Sequence, residues 1–206
     1  MTDPVYMFEA VKRAAVSRLT AITNDVVDNE ARWVLADFLK ATRVWKRNLS
    51  ITMVPGQTNY DLGIEDYESA VGIEAAEYDG YPIRLGIFSM TYTTTGRPSM
   101  AGLDNDRVLR VYPTPAAGVT GAVSVLVWLS LLVGTDQPPP DAVRPYHDVL
   151  LDGLLMRCFS MPDRPWTNMR LAPTHAAAYE GGKSTVRREL DSGRSHGARF
   201  MQIPRF

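Results

Sequence analysis

His147, Asp148 and Asp152 lie within six residues of one another, an imidazole beside two carboxylates, the side chains from which general acid–base catalysis is built. Their spacing argues against a working pair. Neighbours one apart on a helix diverge, so only Asp148 and Asp152 share a face, and the trio reads as surface charge. Cys158, the single cysteine, falls at an apolar helical position beside Phe159. A nucleophilic thiol needs exposure and a cationic neighbour, so a buried structural thiol is expected instead. His147, His175 and His196 are too scattered to form a zinc-type ligand cluster. Gly181-Gly182-Lys183-Ser184 lacks the upstream glycine and the preceding strand of a phosphate loop and reads as a helix break. Neither a Gly-x-Ser-x-Gly elbow nor a framed pair of carboxylates occurs. The expectation is a protein that is not an enzyme and holds no metal or cofactor.

The elements that carry these residues are legible from periodicity. Phe8, Val11, Ala15, Leu19 and Ile22 recur at spacings of three and four, predicting a helix over 5–22. A second helix runs through Trp33, Ala36, Phe38, Leu39, Thr42 and Trp45, with Asp28 or Asn29 to cap its start, and the two form an antiparallel hairpin. Trp33 and Trp45, at helical spacing, read as core. From residue 49 the pattern changes to strands. Residues 49–54 and 58–62 flank Pro55-Gly56-Gln57 as a hairpin. Residues 70–78 and 81–87 flank Asp79-Gly80, a dipeptide suited to the positive φ angles of a two-residue turn. Gly96-Arg97-Pro98 reverses the chain, and 108–112 pairs with 121–133 across a proline-bearing loop. This makes a small antiparallel unit of about six strands.

Pro138-Pro139-Pro140 is a stiff connector, and Asp141 behind it can cap the next helix. Tyr146, Val149, Leu150, Gly153, Leu154 and Cys158 mark one helical face. A break at 161–165 precedes a last helix over 166–190, which Gly181 and Gly182 kink or divide. The fold class is α+β: a helical bundle of 1–48 and 138–192, an inserted antiparallel β lobe over 49–137, and an extended C-terminal arm over 193–206.

With 206 residues, 45% of them apolar, the chain can bury one sizeable core or two small ones. Its formal net charge is −1, yet residues 183–206 carry six Lys and Arg against two acids. That terminal stretch is too rich in Gly, Ser and Arg to fold alone, yet it carries Phe200, Met201, Ile203 and Phe206, and it reads as a docking arm; the alternative is a solvated end. The near-neutral total weighs against a nucleic-acid-coating protein, although the basic arm keeps an accessory nucleic-acid-binding role open. The first sixteen residues lack a basic region followed by an apolar run, so synthesis in the cytoplasm is expected. The apolar stretch 122–133 is short of the roughly 20 residues a membrane helix needs. It reads as a buried strand, and no membrane is expected as a partner.

The order of these motifs resembles the head-to-tail adaptor proteins of tailed bacteriophages, in particular the tubular tail protein A type and related gateway connectors. The resemblance rests on an early helix ending in Trp45, then Ile51-Thr52-Met53-Val54-Pro55-Gly56-Gln57-Thr58-Asn59-Tyr60-Asp61-Leu62, Asp79-Gly80-Tyr81-Pro82-Ile83, Gly96-Arg97-Pro98 and Leu109-Arg110-Val111-Tyr112-Pro113-Thr114-Pro115. A late helix over 146–159 and Pro162-Asp163 complete it. It covers residues 33–179. The resemblance implies a virion protein at the head–tail junction, made in the host cytoplasm and assembled as a homo-oligomeric ring, usually of twelve copies. The ring would sit between the portal protein and a tail nozzle or tail tube protein, with DNA passing through its lumen without sequence-specific binding. It further implies that the arm enters crevices between portal subunits, with Phe200, Met201, Ile203 and Phe206 as apolar anchors and Arg194, Arg199 and Arg205 as charge partners.

Overall fold

A computed structural model describes residues 4–86, 94–118, 121–134 and 140–195. The chain divides into two compact units, residues 1–44 with 138–206, and residues 45–137. Helix and antiparallel sheet segregate along the sequence, as an α+β protein requires.

In the first unit, α1 (Pro4–Val16) stops six residues before the apolar spacing does. The backbone tightens there: Arg18 N–H bonds Ala15 C=O at 2.9 Å, and Ala21 takes a positive φ of 59°. Leu19 is nevertheless buried, because a tight turn keeps it on the core side without continuing the helix. Helix α2 (Asn24–Thr42) begins four residues before the expected caps. Thr23 stands at its start without a side-chain cap, while Asp28, inside the helix, bonds Lys12 at 2.7 Å. Arg43 in the left-handed region ends it, donating its N–H to Leu39 C=O.

A 3-10 segment (Asp141–Tyr146) leads into α3 (His147–Phe159). Asp141 lies in the first turn rather than at the cap and is held by Arg144. Helix α3 is apolar almost all round, burying Leu150, Leu151, Leu154, Leu155, Cys158 and Phe159. It packs against α1, α2 and α4 (Ala172–Ser195). The last helix is not divided at its glycines and extends five residues beyond Leu190, so Gly193 and Arg194 belong to it rather than to an extended arm. A Cβ on Gly182 would meet Val149 of α3 at 2.7 Å, so this glycine serves close helix approach.

The second unit holds ten short strands among the described residues, in three sheets. The first has the order β1 (Lys46–Thr52), β10 (Ala122–Leu131), β3 (Glu68–Tyr78), β4 (Tyr81–Pro82), all antiparallel. The second has β2 (Asn59–Asp61), β8 (Val108–Tyr112), β7 (Met100–Leu103), β5 (Arg84–Leu85). A third pairs β6 (Thr95–Gly96) with β9 (Thr114–Pro115). The Asp79-Gly80 hairpin forms, with φ of 51° and 76° joining β3 to β4.

Two expected pairings do not form. The turn at Gly56 is present, but β1 pairs with β10 and β2 with β8, so its flanks enter different sheets. Strands β8 and β10 likewise separate, β8 joining β7 and β10 lying between β1 and β3. Strand β10 alternates as far as Leu129, with Val123, Val125, Val127 and Leu129 fully buried. They form one core with Met53, Tyr60, Leu62, Ala76, Tyr78, Leu109 and Val111.

Candidate interaction surfaces

The groups with catalytic chemistry are placed in structural roles. Cys158 is fully buried, and burial, reinforced by the nearby Glu30 carboxylate, pushes its thiol up to about 12. His147 Nδ1 does reach Asp148 Oδ1, at 3.2 Å, contrary to the expected divergence, but both side chains face solvent. Asp152 turns away from Asp148 and meets His175 Nδ1 of α4 at 2.8 Å, joining α3 to α4. His175 also lies against Phe159, with ring centroids 5.6 Å apart. No group of three or more His, Cys, Asp or Glu is disposed to hold a metal among the described residues.

Of the residues expected to dock, Arg194 lies in the last turn of α4. Arg199, Phe200, Met201, Ile203, Arg205 and Phe206 lie outside the described residues. The basic residues preceding them are committed within the chain. Lys183 Nζ is 2.8 Å from both Asp37 and Glu180, and Arg187 Nε is 3.1 Å from Asp191. Burial alone would lower the Lys183 pKa, but its hydrogen bonds to Asp37 and Glu180 outweigh it and the net shift is upward. The basic excess of the C-terminal stretch is therefore partly neutralised on the α4 surface.

Two aromatic–arginine clusters emerge that composition does not reveal. Trp33 is not core: it is 45% exposed, with the Arg157 guanidinium 5.5 Å from its ring centre. Arg157 is fixed from below by Glu30, which is almost wholly buried. Beside them Met156, Ser160, Met161 and Pro162 line an open depression of about 410 Å³. Tryptophan, arginine and methionine are enriched where proteins meet. In the second unit Arg97 lies 5.0 Å from the Tyr78 ring and 5.5 Å from that of Tyr81, which is 68% exposed. A helix-period reading places Trp33 inward; what overrides it is Arg157, 124 residues away, which no local pattern reports.

Both clusters lie at the surface of their units, with Trp33 and Tyr81 exposed. No helix of the described residues is long and apolar enough to cross a membrane. A family model described as SU10 adaptor protein matches residues 7–200, spanning both units. No curated protein matches the chain.

Proposed function

The chain belongs to the SU10 adaptor protein family, a family of phage head-to-tail adaptors, and from that premise we propose that it joins the capsid portal to the tail as a ring with a lumen for DNA. The observation that carries this reading is the extent of the family match, which covers the helical unit and the β unit together rather than one of them. An adaptor's work is structural, and the family is not an enzyme family. That agrees with a buried thiol and with histidines engaged by neighbouring carboxylates.

In this reading the end of α4 and the residues beyond it dock on the portal. Phe200, Met201, Ile203 and Phe206 anchor between portal subunits, while Arg194, Arg199 and Arg205 meet its acidic groups. Ordering such a segment only on contact makes assembly sequential, because its conformational entropy is lost only where the matching surface exists. About twelve copies, the number the resemblance implies, would stand at the head–tail junction of the virion, with the β units toward the tail.

Deleting residues 196–206 tests the arm. The shortened protein should keep its melting temperature and lose retention on an immobilised portal ring. Unchanged retention would remove the arm from the docking surface, and salt-sensitive retention on DNA would favour phosphate binding instead.

A further inference from the structure

Arg97 is presented by a fixed backbone. Ala116 N–H bonds Gly96 C=O at 3.2 Å, Ser99 N–H bonds Tyr112 C=O at 2.9 Å, and Pro98 between them is buried. The guanidinium lies against both the Tyr78 and the Tyr81 rings. Its one ion pair among the described residues, with Asp79, is 3.7 Å long, beyond hydrogen-bond length. Arg84 sits alongside, its backbone N–H tied to Ser99 C=O at 2.9 Å. Its exposed side chain has no ion pair or hydrogen bond among the described residues. Both arginines line an open depression of about 410 Å³ with Tyr78, Tyr81, Pro82 and Ser99.

Planar guanidinium donors set against aromatic rings are suited to gripping carboxylates through paired hydrogen bonds. The unit around them is acidic, residues 45–137 carrying six Lys and Arg against ten Asp and Glu. A polyanion such as DNA meets net repulsion from such a unit, whereas one or two carboxylates on a protein loop need match only the depression.

A loop of that description stands elsewhere in the same unit, between β2 and β3. Glu65 and Asp66 are both exposed, Asp66 fully. Among the described residues the Glu65 carboxylate has no partner, and that of Asp66 has Arg107 at 3.4 Å. The loop backbone is held in place: Arg107 donates to the Ile64 and Glu65 carbonyls at 2.7 and 3.1 Å, and Glu65 N–H bonds the Glu68 carboxylate at 3.1 Å. We infer that the depression of Arg84 and Arg97 takes the Glu65-Asp66 loop of a second copy of this chain. The same copy is unable to supply it. Strand β3 begins at Glu68, beside the loop, and ends at Tyr78, in the depression, so its eleven residues hold the two about 30 Å apart. Complementary patches at opposite ends of one unit give a head-to-tail contact, which closes into a ring where the rotation allows. The inference deepens the ring reading and rests on it for closure. Charge contacts of this kind set partner and register more than affinity, so one contact is weak alone and the contacts accumulate around a ring.

Charge reversal in the full-length protein tests it. Self-association is read by sedimentation equilibrium at low salt and at concentrations on the order of millimolar, where a weak contact registers. The parent should associate, and added salt should weaken it. Arg84→Glu/Arg97→Glu chains and Glu65→Lys/Asp66→Lys chains should each associate about tenfold or more weakly than the parent. Mixed in equal amounts they should recover association, because the reversed depression of one fits the reversed loop of the other. Arg84→Glu alone, at a side chain without an internal partner among the described residues, should melt as the parent does and still weaken association severalfold, which separates a lost contact from a lost fold. A parent that stays monomeric, variants that associate as the parent does, or a mixture that recovers nothing overturns the inference. Arg84→Glu/Arg97→Glu chains forming normal rings on a portal would sink it and spare the adaptor reading; recovery in the mixture without portal docking would do the reverse.

Discussion

Tyr179 of α4 donates its hydroxyl to Asp37 of α2 at 2.9 Å, a contact between residues 142 positions apart that links the end of the chain to its beginning. The hydroxyl also lies 3.1 Å from Val34 C=O, and Lys183 Nζ sits 4.3 Å from the centre of the Tyr179 ring. Burial first, and the Asp37 charge second, raise the Tyr179 pKa far above its usual 10. Cys158 is shifted the same way, from 9.0 to about 12.

Both groups hold their protons more tightly when folded, so their contribution is complete below the unfolded pKa values and is lost as pH rises above them. Lys183, also shifted upward, adds stability that is complete below the ordinary lysine value of 10.5 and is lost as pH rises from there through its raised folded value. The melting temperature of the helical unit should therefore be insensitive to these groups below pH 9 and fall steadily from pH 9 to 11. Tyr179→Phe should reduce that fall. A melting temperature still level at pH 11 would contradict the assignment.

Gly153 of α3 faces Val34 and Tyr179, and a Cβ there would lie 2.7 Å and 2.8 Å from them. Gly153→Ala gains helix propensity but overpacks the junction, for a net loss of about 1–2 kcal/mol. That should appear as a drop of about 2–8 °C in thermal melting. Gly181→Ala is the contrasting case: nothing lies within 4 Å of its Cβ position, and stability should rise by about 0.5–1 kcal/mol.

In the β unit, Glu68 is 1% exposed and is gripped by Arg47 through two bonds of 2.7 and 2.5 Å. The Glu65 N–H adds a third contact at 3.1 Å. Arg47→Met strands the carboxylate and should cost about 3 kcal/mol in denaturant unfolding. Adding Glu68→Gln removes the stranded charge and should recover most of that loss. Equal stability of the Arg47→Met and double variants would show that a stranded Glu68 charge is not the cause of the loss.

Local chemistry was readable from the sequence, and long-range pairing was not. Asp79-Gly80 dictates its own turn, because both residues tolerate positive φ, and the hairpin follows from two positions. Gly56 dictates a turn equally well, but nothing local says that Ser50 will face Ser124 rather than a residue across that turn. The glycines of α4 suggested a break because propensity counts only the cost of each glycine. The close approach of Val149 to Gly182 supplies the compensating packing. The helical period places Trp33 inward, and the outward cluster with Arg157 and Glu30 depends on a helix more than a hundred residues later. Of the expected docking residues only Arg194 lies among those described, at the end of α4.

The most direct test of the adaptor account is the mass of the purified protein, alone and after mixing with a portal ring from the same virus, read by light scattering or native mass spectrometry. The account predicts a small species near the 22.9 kDa chain mass alone and a stoichiometric ring-on-ring complex with the portal. Failure to form any complex with the portal, at concentrations where the protein is folded, would contradict it.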